Sequence, residues 1–105
     1  MEKLDHILFE TKVEEDGRPS VILCSRKSCH VCQAVHPTLA ELEKEYQPKG
    51  LTFYHLDVEE QADLFQQLRG KGVPQVLFYR DGELEARLVG EHSEDEYADQ
   101  MDALL

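Results

Sequence analysis

No stretch of the chain approaches the roughly 20 consecutive apolar residues that a helix needs to cross a bilayer, so nothing in it reads as a membrane span. Positive charge is scarce. Eleven Lys and Arg stand against 22 Asp and Glu, a formal net charge of −11, which argues against nucleic-acid binding. The acidic runs at Glu14-Glu15-Asp16, Glu41 to Glu45, Asp57 to Glu60 and Glu91 to Glu96 fall on expected solvent faces or helix starts. Solubility explains them, with a weak preference for basic partner proteins as the alternative. Cysteine is limited to three residues, an odd number that argues against a structural disulfide framework. Glycine-rich phosphate loops, Ser/His/Asp sets, paired-carboxylate motifs, linkers and repeats are all missing. The first residues, Met1 to His6, are charged and lack an apolar signal core and a cleavage site. A cytoplasmic location is therefore expected, unless trimming has removed an export signal.

What is present suffices for one domain over residues 1–105. A chain of this length buries roughly 65% of its unfolded surface, and 41% hydrophobic residues can fill a core. Residues 3–14 place Leu4, Ile7, Leu8 and Thr11 at helical spacing, although Ile7-Leu8-Phe9 also reads as a short strand. Asp16 to Pro19 forms a turn into an apolar, β-branched strand at 20–25. A helix over about 29–46 follows, with Val31, Ala34, Val35, Leu39, Leu42 and Tyr46 on one face and Pro37 expected to kink it. Leu51 to Val58 reads as a strand. Glu59 to Arg69 reads as a helix with Ala62, Phe65 and Leu68 inward and Gly70 as C-cap. Gln75 to Arg80 and Glu83 to Val89 form a hairpin about Asp81-Gly82, with Leu84, Ala86 and Leu88 sharing a face. Ser93 and Glu96 make a capping box for a last helix that turns Tyr97, Met101 and Leu104 inward. Two strands joined through a helix run parallel and the hairpin adds antiparallel strands, so the expected fold is α/β with a mixed sheet between helices.

The chemistry concentrates at Cys29-His30-Val31-Cys32, between the first apolar strand and the amphipathic helix. Cys29 falls at the helix's amino-terminal end, with Ser28 expected as N-cap. Free backbone N–H groups and the positive end of the helix dipole there favour a thiolate over a thiol. Cysteines one helical turn apart can also pair with each other, which makes this a dithiol redox centre in its chemistry.

The Cys-X-X-Cys motif at that junction, Pro37 in the helix, Gly72-Val73-Pro74 before an apolar strand, Asp81-Gly82 in the hairpin and the closing Val89-Gly90 together resemble the thioredoxin family over roughly residues 18–104. The resemblance implies the thioredoxin fold, a central mixed sheet of four to five strands flanked by helices on both faces, with the usual first strand reduced or absent. It further implies that Cys29 is exposed, has a lowered pKa and attacks a partner's disulfide, and that the more buried Cys32 resolves the mixed disulfide. Pro74 matches the family's cis-proline, Val73 would present its backbone to an extended substrate peptide, and Gly90 would keep the neighbouring surface open. Disulfide-containing proteins are the implied substrates of a monomer, with an external thiol or reductase as electron donor and no bound cofactor.

This chain departs from the family pattern at the site itself. Leu23 stands where thioredoxins carry a buried acid, His55 replaces the accompanying lysine, and Ser28 replaces the tryptophan before the first cysteine. His30-Val31 takes the place of Gly-Pro. A protonated His30 beside Cys29 would stabilise its thiolate, against the reading of an exposed histidine with little effect. His55 has two readings: proton acceptor for Cys32, or a partly buried histidine bonded to backbone. Cys24 reads as a buried small hydrophobe, while His6 and His92 read as surface residues. A metal on both cysteines would need His30, His36 or a second chain, so no metal site is expected. The functional expectation is a dithiol–disulfide oxidoreductase. The alternative is a redox-sensing or binding module with little turnover, which loss of the acid and tryptophan positions would favour.

Overall fold

The structure, a computed structural model, describes residues 1–105. Ser20–Ser25 (β2) is fully buried and pairs on both edges, parallel with Thr52–Asp57 (β3) and antiparallel with Gln75–Arg80 (β4). A short outer strand, Glu2–Lys3 (β1), runs parallel to β3, and Glu83–Val89 (β5) closes the other edge, giving the order β1-β3-β2-β4-β5. The reduced first strand is thus two residues long. The helices are His6–Leu8 (α1), continued by a π-helical Phe9–Glu15, then His30–Tyr46 (α2), Ala62–Gln67 (α3) and Glu94–Leu104 (α4). This is the mixed five-stranded α/β arrangement expected of the thioredoxin fold. No helix is long and apolar enough to cross a membrane.

Side-chain alternation along the buried strands divides the core in two. Val21, Leu23, Phe53, Val76 and Phe78 face α2 and α4, meeting Val35, Leu39, Leu42, Tyr97 and Met101. Ile22, Cys24, Tyr54, Leu56, Leu77 and Tyr79 face the other way, against Leu4, Phe9 and Val13 of the amino-terminal segment and Leu64 and Leu68 around α3. Each fully buried side chain of this kind contributes roughly 1.5–3 kcal/mol, so both layers are needed for a chain this small.

Several local expectations are corrected. Leu4 is buried and tied to β3 (its N–H to His55 O, 2.8 Å) before the helical turns begin, so that Ile7 is 71% exposed and Phe9 and Val13 are buried in its place. The inward stripe of α2 starts at Cys32 rather than Val31, which is 43% exposed. Of the residues expected inward on α3, Ala62 is exposed and Phe65 only partly covered, while Leu64 is fully buried. That helix ends on Arg69 at φ 60°, with Arg69 N–H bonded to Gln66 O and Gly70 N–H to Phe65 O. Gly70 therefore follows the left-handed residue, and its missing side chain leaves room for the Phe65 ring. An irregularity in β5, with Glu85 as the extra residue between partners of Phe78 and Tyr79, turns Leu84 to the face opposite Ala86. The hairpin itself is of the primed type, with Asp81 at φ 56° and Gly82 at φ 79°.

Gly82 also lies against the amino-terminal segment. A Cβ placed there would sit 2.9 Å from the Glu14 carbonyl oxygen, on a backbone that side chains rarely adopt. The substitution Gly82→Ala should cost about 1–3 kcal/mol of stability. The test is urea unfolding, where the midpoint falls at unchanged slope.

Candidate active site

Strand register decides which loops meet. Cys24 pairs with Gln75, so the loop leaving β2 and the Val73-Pro74 segment entering β4 emerge at one end of the sheet. Gly90 joins them through its N–H, which donates to Pro74 O at 2.9 Å. The Val73–Pro74 peptide is cis. Behind it, the guanidinium of Arg87 donates to Gln75 Oε1 (2.6 Å) and to Leu68 O (2.7 Å). That fork satisfies a buried amide and a helix-terminal carbonyl together, and anchors both ends of the segment that carries Val73 and Pro74.

Cys29 and Cys32 are disulfide-bonded across the first turn of α2, their Cα atoms 5.2 Å apart. Cys29, not Ser28, is the N-cap. Its backbone is extended (φ −84°, ψ 113°) and its sulfur accepts the Cys32 N–H at 3.1 Å. The Ser28 hydroxyl instead accepts from Arg26 Nε at 3.3 Å. Cys29 was expected exposed, yet it is 6% exposed against 4% for Cys32. The pairing itself accounts for this, because it draws the Cys29 sulfur down onto the helix turn whose second cysteine belongs to the core stripe. His30 and Val31 project outward beside them.

His55 lies opposite Leu23 in the parallel register. Leu23 is fully buried among the aliphatic side chains facing α2, so the position carries no proton acceptor. His55 is bonded through Nε2 to Ser25 Oγ at 2.6 Å, a side-chain partner rather than the backbone one considered from sequence. Its ring meets that of His36 edge-on, centroids 5.8 Å apart. Ser25, Cys32, Gln33, His36 and His55 line a cleft of about 190 Å³. Burial, and then the neighbouring His36, lower the pKa of His55, with Asp57 working in the opposite direction. For Asp57 burial pushes upward, but N–H groups of Glu59 (2.9 Å) and Glu60 (3.2 Å) on its carboxylate outweigh it and the pKa falls.

Two further groups complete the surroundings. Cys24 is buried in the opposite core layer, and burial raises its thiol pKa to about 12, opposed by Arg87. His92, expected on the surface, is half-buried between Val89 O (2.9 Å from Nε2) and Glu96 Oε2 (3.0 Å from Nδ1). Two acceptors on its two nitrogens favour the imidazolium, and its pKa is raised, chiefly by Glu96. The i,i+4 spacing of His92 and Glu96 was visible in the sequence, but the Val89 carbonyl was not. No group of three or more His, Cys, Asp or Glu side chains is arranged to hold a metal ion.

The Thioredoxin family model matches residues 1–103. Thioredoxin Asp f 29 of Aspergillus fumigatus is 31% identical over 86 residues, 82% of this chain and 78% of the relative. A thioredoxin of Pseudomonas aeruginosa is 30% identical over 95 residues, 90% and 87% of the two chains. One from Acidithiobacillus ferridurans is 28% identical over 97 residues, 92% and 89%.

Two measurements check this description. Brief iodoacetamide treatment of the reduced native protein should leave Cys24 unmodified while labelling Cys29, read by peptide mass spectrometry, because only the thiolate reacts. The His92–Glu96 pair should stabilise the fold in a defined pH window. Glu96 falls from 4.5 to about 2, so its contribution is present above 4.5 and lost as pH drops towards 2. His92 is raised above 6.5, so its contribution is present below 6.5 and lost as pH rises through the folded value. The melting-temperature gap between wild type and Glu96→Gln should therefore be widest between pH 4.5 and 6.5 and narrow on both sides.

Proposed function

The chain belongs to the thioredoxin family of protein disulfide oxidoreductases, and we propose that it reduces protein disulfides by dithiol exchange at Cys29 and Cys32. The observation that carries the reading is the pairing of these two cysteines across the first turn of α2, with the Cys32 N–H directed at the Cys29 sulfur. In the reduced protein that donor, together with the helix dipole, favours a thiolate on Cys29. The thiolate attacks one sulfur of the partner's disulfide, and the partner's other sulfur leaves with the electron pair. Cys32 then attacks Cys29, releasing the second partner thiol and leaving the Cys29–Cys32 disulfide. An external thiol or reductase returns two electrons, so no bound cofactor is required.

The remaining site residues serve this exchange. Val73 and Pro74, adjacent to Gly90, offer an extended backbone edge to a substrate peptide, and the exposed Val31 and Val89 flank it with apolar surface. His30, exposed and next to the nucleophile, stabilises the thiolate when protonated and so favours the reduced form. The protein acts as a cytoplasmic monomer on disulfide-bearing proteins. The odd cysteine count and the inert, buried Cys24 support a reducing compartment.

Cys29→Ser should abolish turnover of a protein disulfide with a thiol donor, whereas Cys32→Ser should accumulate a mixed disulfide on Cys29, seen on non-reducing gels and lost when a reductant is added. Equilibration against thiol–disulfide buffers should return a potential near about −270 mV, the value of thioredoxin, and His30→Ala should make it more negative by roughly 30 mV, a tenfold change in the exchange equilibrium. A wild-type potential at or above about −180 mV would make the protein an oxidant or isomerase instead. Failure to form the intramolecular disulfide would leave a binding or sensing module.

A further inference from the structure

Resolution requires that Cys32 lose a proton in a setting where Leu23 supplies no base. Cys32 is 4% exposed and belongs to the apolar stripe of α2, so it does not exchange protons freely with bulk water. It lines the cleft it shares with Ser25, His36 and His55. A carboxylate is absent there, and the cationic Arg26 and Lys27 line the same cleft.

We propose that Ser25 and His55 act as a hydroxyl–imidazole relay that takes the proton from Cys32, with His36 as a positioning residue that holds His55 in its accepting state. The proposal rests on the dithiol reading above and deepens it. The geometry supports each part. Ser25 Oγ is 2.6 Å from His55 Nε2 and makes no other side-chain hydrogen bond than this one. With the hydroxyl donating to Nε2, the oxygen's lone pairs are free to accept from water in the cleft, which at about 190 Å³ has room for it. Ser25 is 6% exposed, and its backbone is fixed by β2, with its carbonyl accepting the Val58 N–H at 2.9 Å. The backbone that carries the hydroxyl is therefore fixed, and the hydroxyl itself is held by His55.

The step balances as follows. Cys32 Sγ–H passes its proton through cleft water to Ser25 Oγ as Ser25 passes its own to His55 Nε2. The freed electron pair on Cys32 Sγ forms the bond to Cys29 Sγ. The bond from Cys29 to the partner breaks, and the partner's sulfur leaves with the electron pair and is protonated by solvent. The imidazolium then returns its proton to solvent. Two electrons have moved from the dithiol to the partner's disulfide.

The charged and titratable groups around His55 come from three elements, the chain's amino terminus and the loop after β2, whose Arg26 and Lys27 line the same cleft. His36 lies on α2, Asp57 on β3 itself, Lys3 on β1, and the chain's amino terminus precedes β1. Burial foremost, and then His36, Lys3 and the amino terminus, disfavour charge on His55, while Asp57 favours it. The ring is thereby kept neutral and able to accept a proton.

A single-turnover reaction of the reduced protein with 5,5′-dithiobis(2-nitrobenzoic acid) separates the two halves. The first thiolate released reports attack by Cys29, and the second reports resolution by Cys32. In the wild type the second phase should accelerate as pH rises, with an inflection in the imidazole range. His55→Gln keeps a hydrogen-bonding partner for Ser25 but does not titrate. It should slow the second phase about tenfold or more and move the inflection into the thiol range, and added imidazole should restore part of the rate. Ser25→Ala should slow the second phase comparably, and His36→Asn should shift the wild-type inflection downward in rate and upward in pH. A second phase in His55→Gln with the wild-type rate and pH profile, while its thermal unfolding matches wild type, would overturn the relay. Absence of any first phase in the wild type would instead overturn the dithiol reading beneath it, so the two failures are distinct.

Discussion

The pairing of β2 with strands on both of its edges is the constraint from which the site follows. Its parallel register with β3 sets His55 opposite Leu23, and its antiparallel register with β4 sets Gln75 opposite Cys24. Because strand side chains alternate faces, a slip of β2 by one residue would move Leu23 to the layer now held by Cys24 and part it from His55. The same slip would separate Pro74 from the end of β2. All six residues of β2 are buried, which fixes the register strongly, since any shift would expose apolar side chains on both faces.

Given that register, the sheet end becomes a convergence of three loops with different tasks. The β2–α2 loop delivers Cys29 to the first turn of a helix, where the backbone N–H of Cys32 meets its sulfur. The loop before β4 delivers Val73 and Pro74, held by Arg87 through Gln75 and Leu68. The segment after β5 brings Gly90 against Pro74 and is itself pinned by His92 and Tyr97, whose hydroxyl accepts the His92 N–H at 3.2 Å. The cysteine pair thus sits at a helix terminus, beside backbone edges that buried side chains hold in place.

The departures from the family pattern concentrate on proton handling rather than on the fold. Leu23 in place of an acid extends the apolar layer beneath α2, which spares the core the cost of a buried carboxylate and leaves no titratable group at that position. The polar groups at this end of the sheet, Ser25, His36 and His55, line a cleft open to solvent, where the penalty for charging a group is smaller than in the core. Imidazoles suit that location because their charge changes near neutrality.

The sequence by itself determined the elements and their order, since strong signals lie in local patterns: the apolar run at 20–25, the turn at Asp81-Gly82, the capping box of Ser93 and Glu96, and the spacing of Cys29 and Cys32. These are interactions between residues a few positions apart, which a linear reading captures. It misjudged Ile7, Val31, Leu84 and the cap of α2, because an edge strand, the phase of a helix, an extra residue in β5 and a sulfur acceptor are settled by how elements dock. Only the tertiary structure joined Ser25 to His55 and His36, which come from three separate elements, and turned His92 into a bridge to the Val89 carbonyl. Such contacts depend on strand register and on the direction of each side chain across the sheet, quantities that no local stretch of sequence encodes.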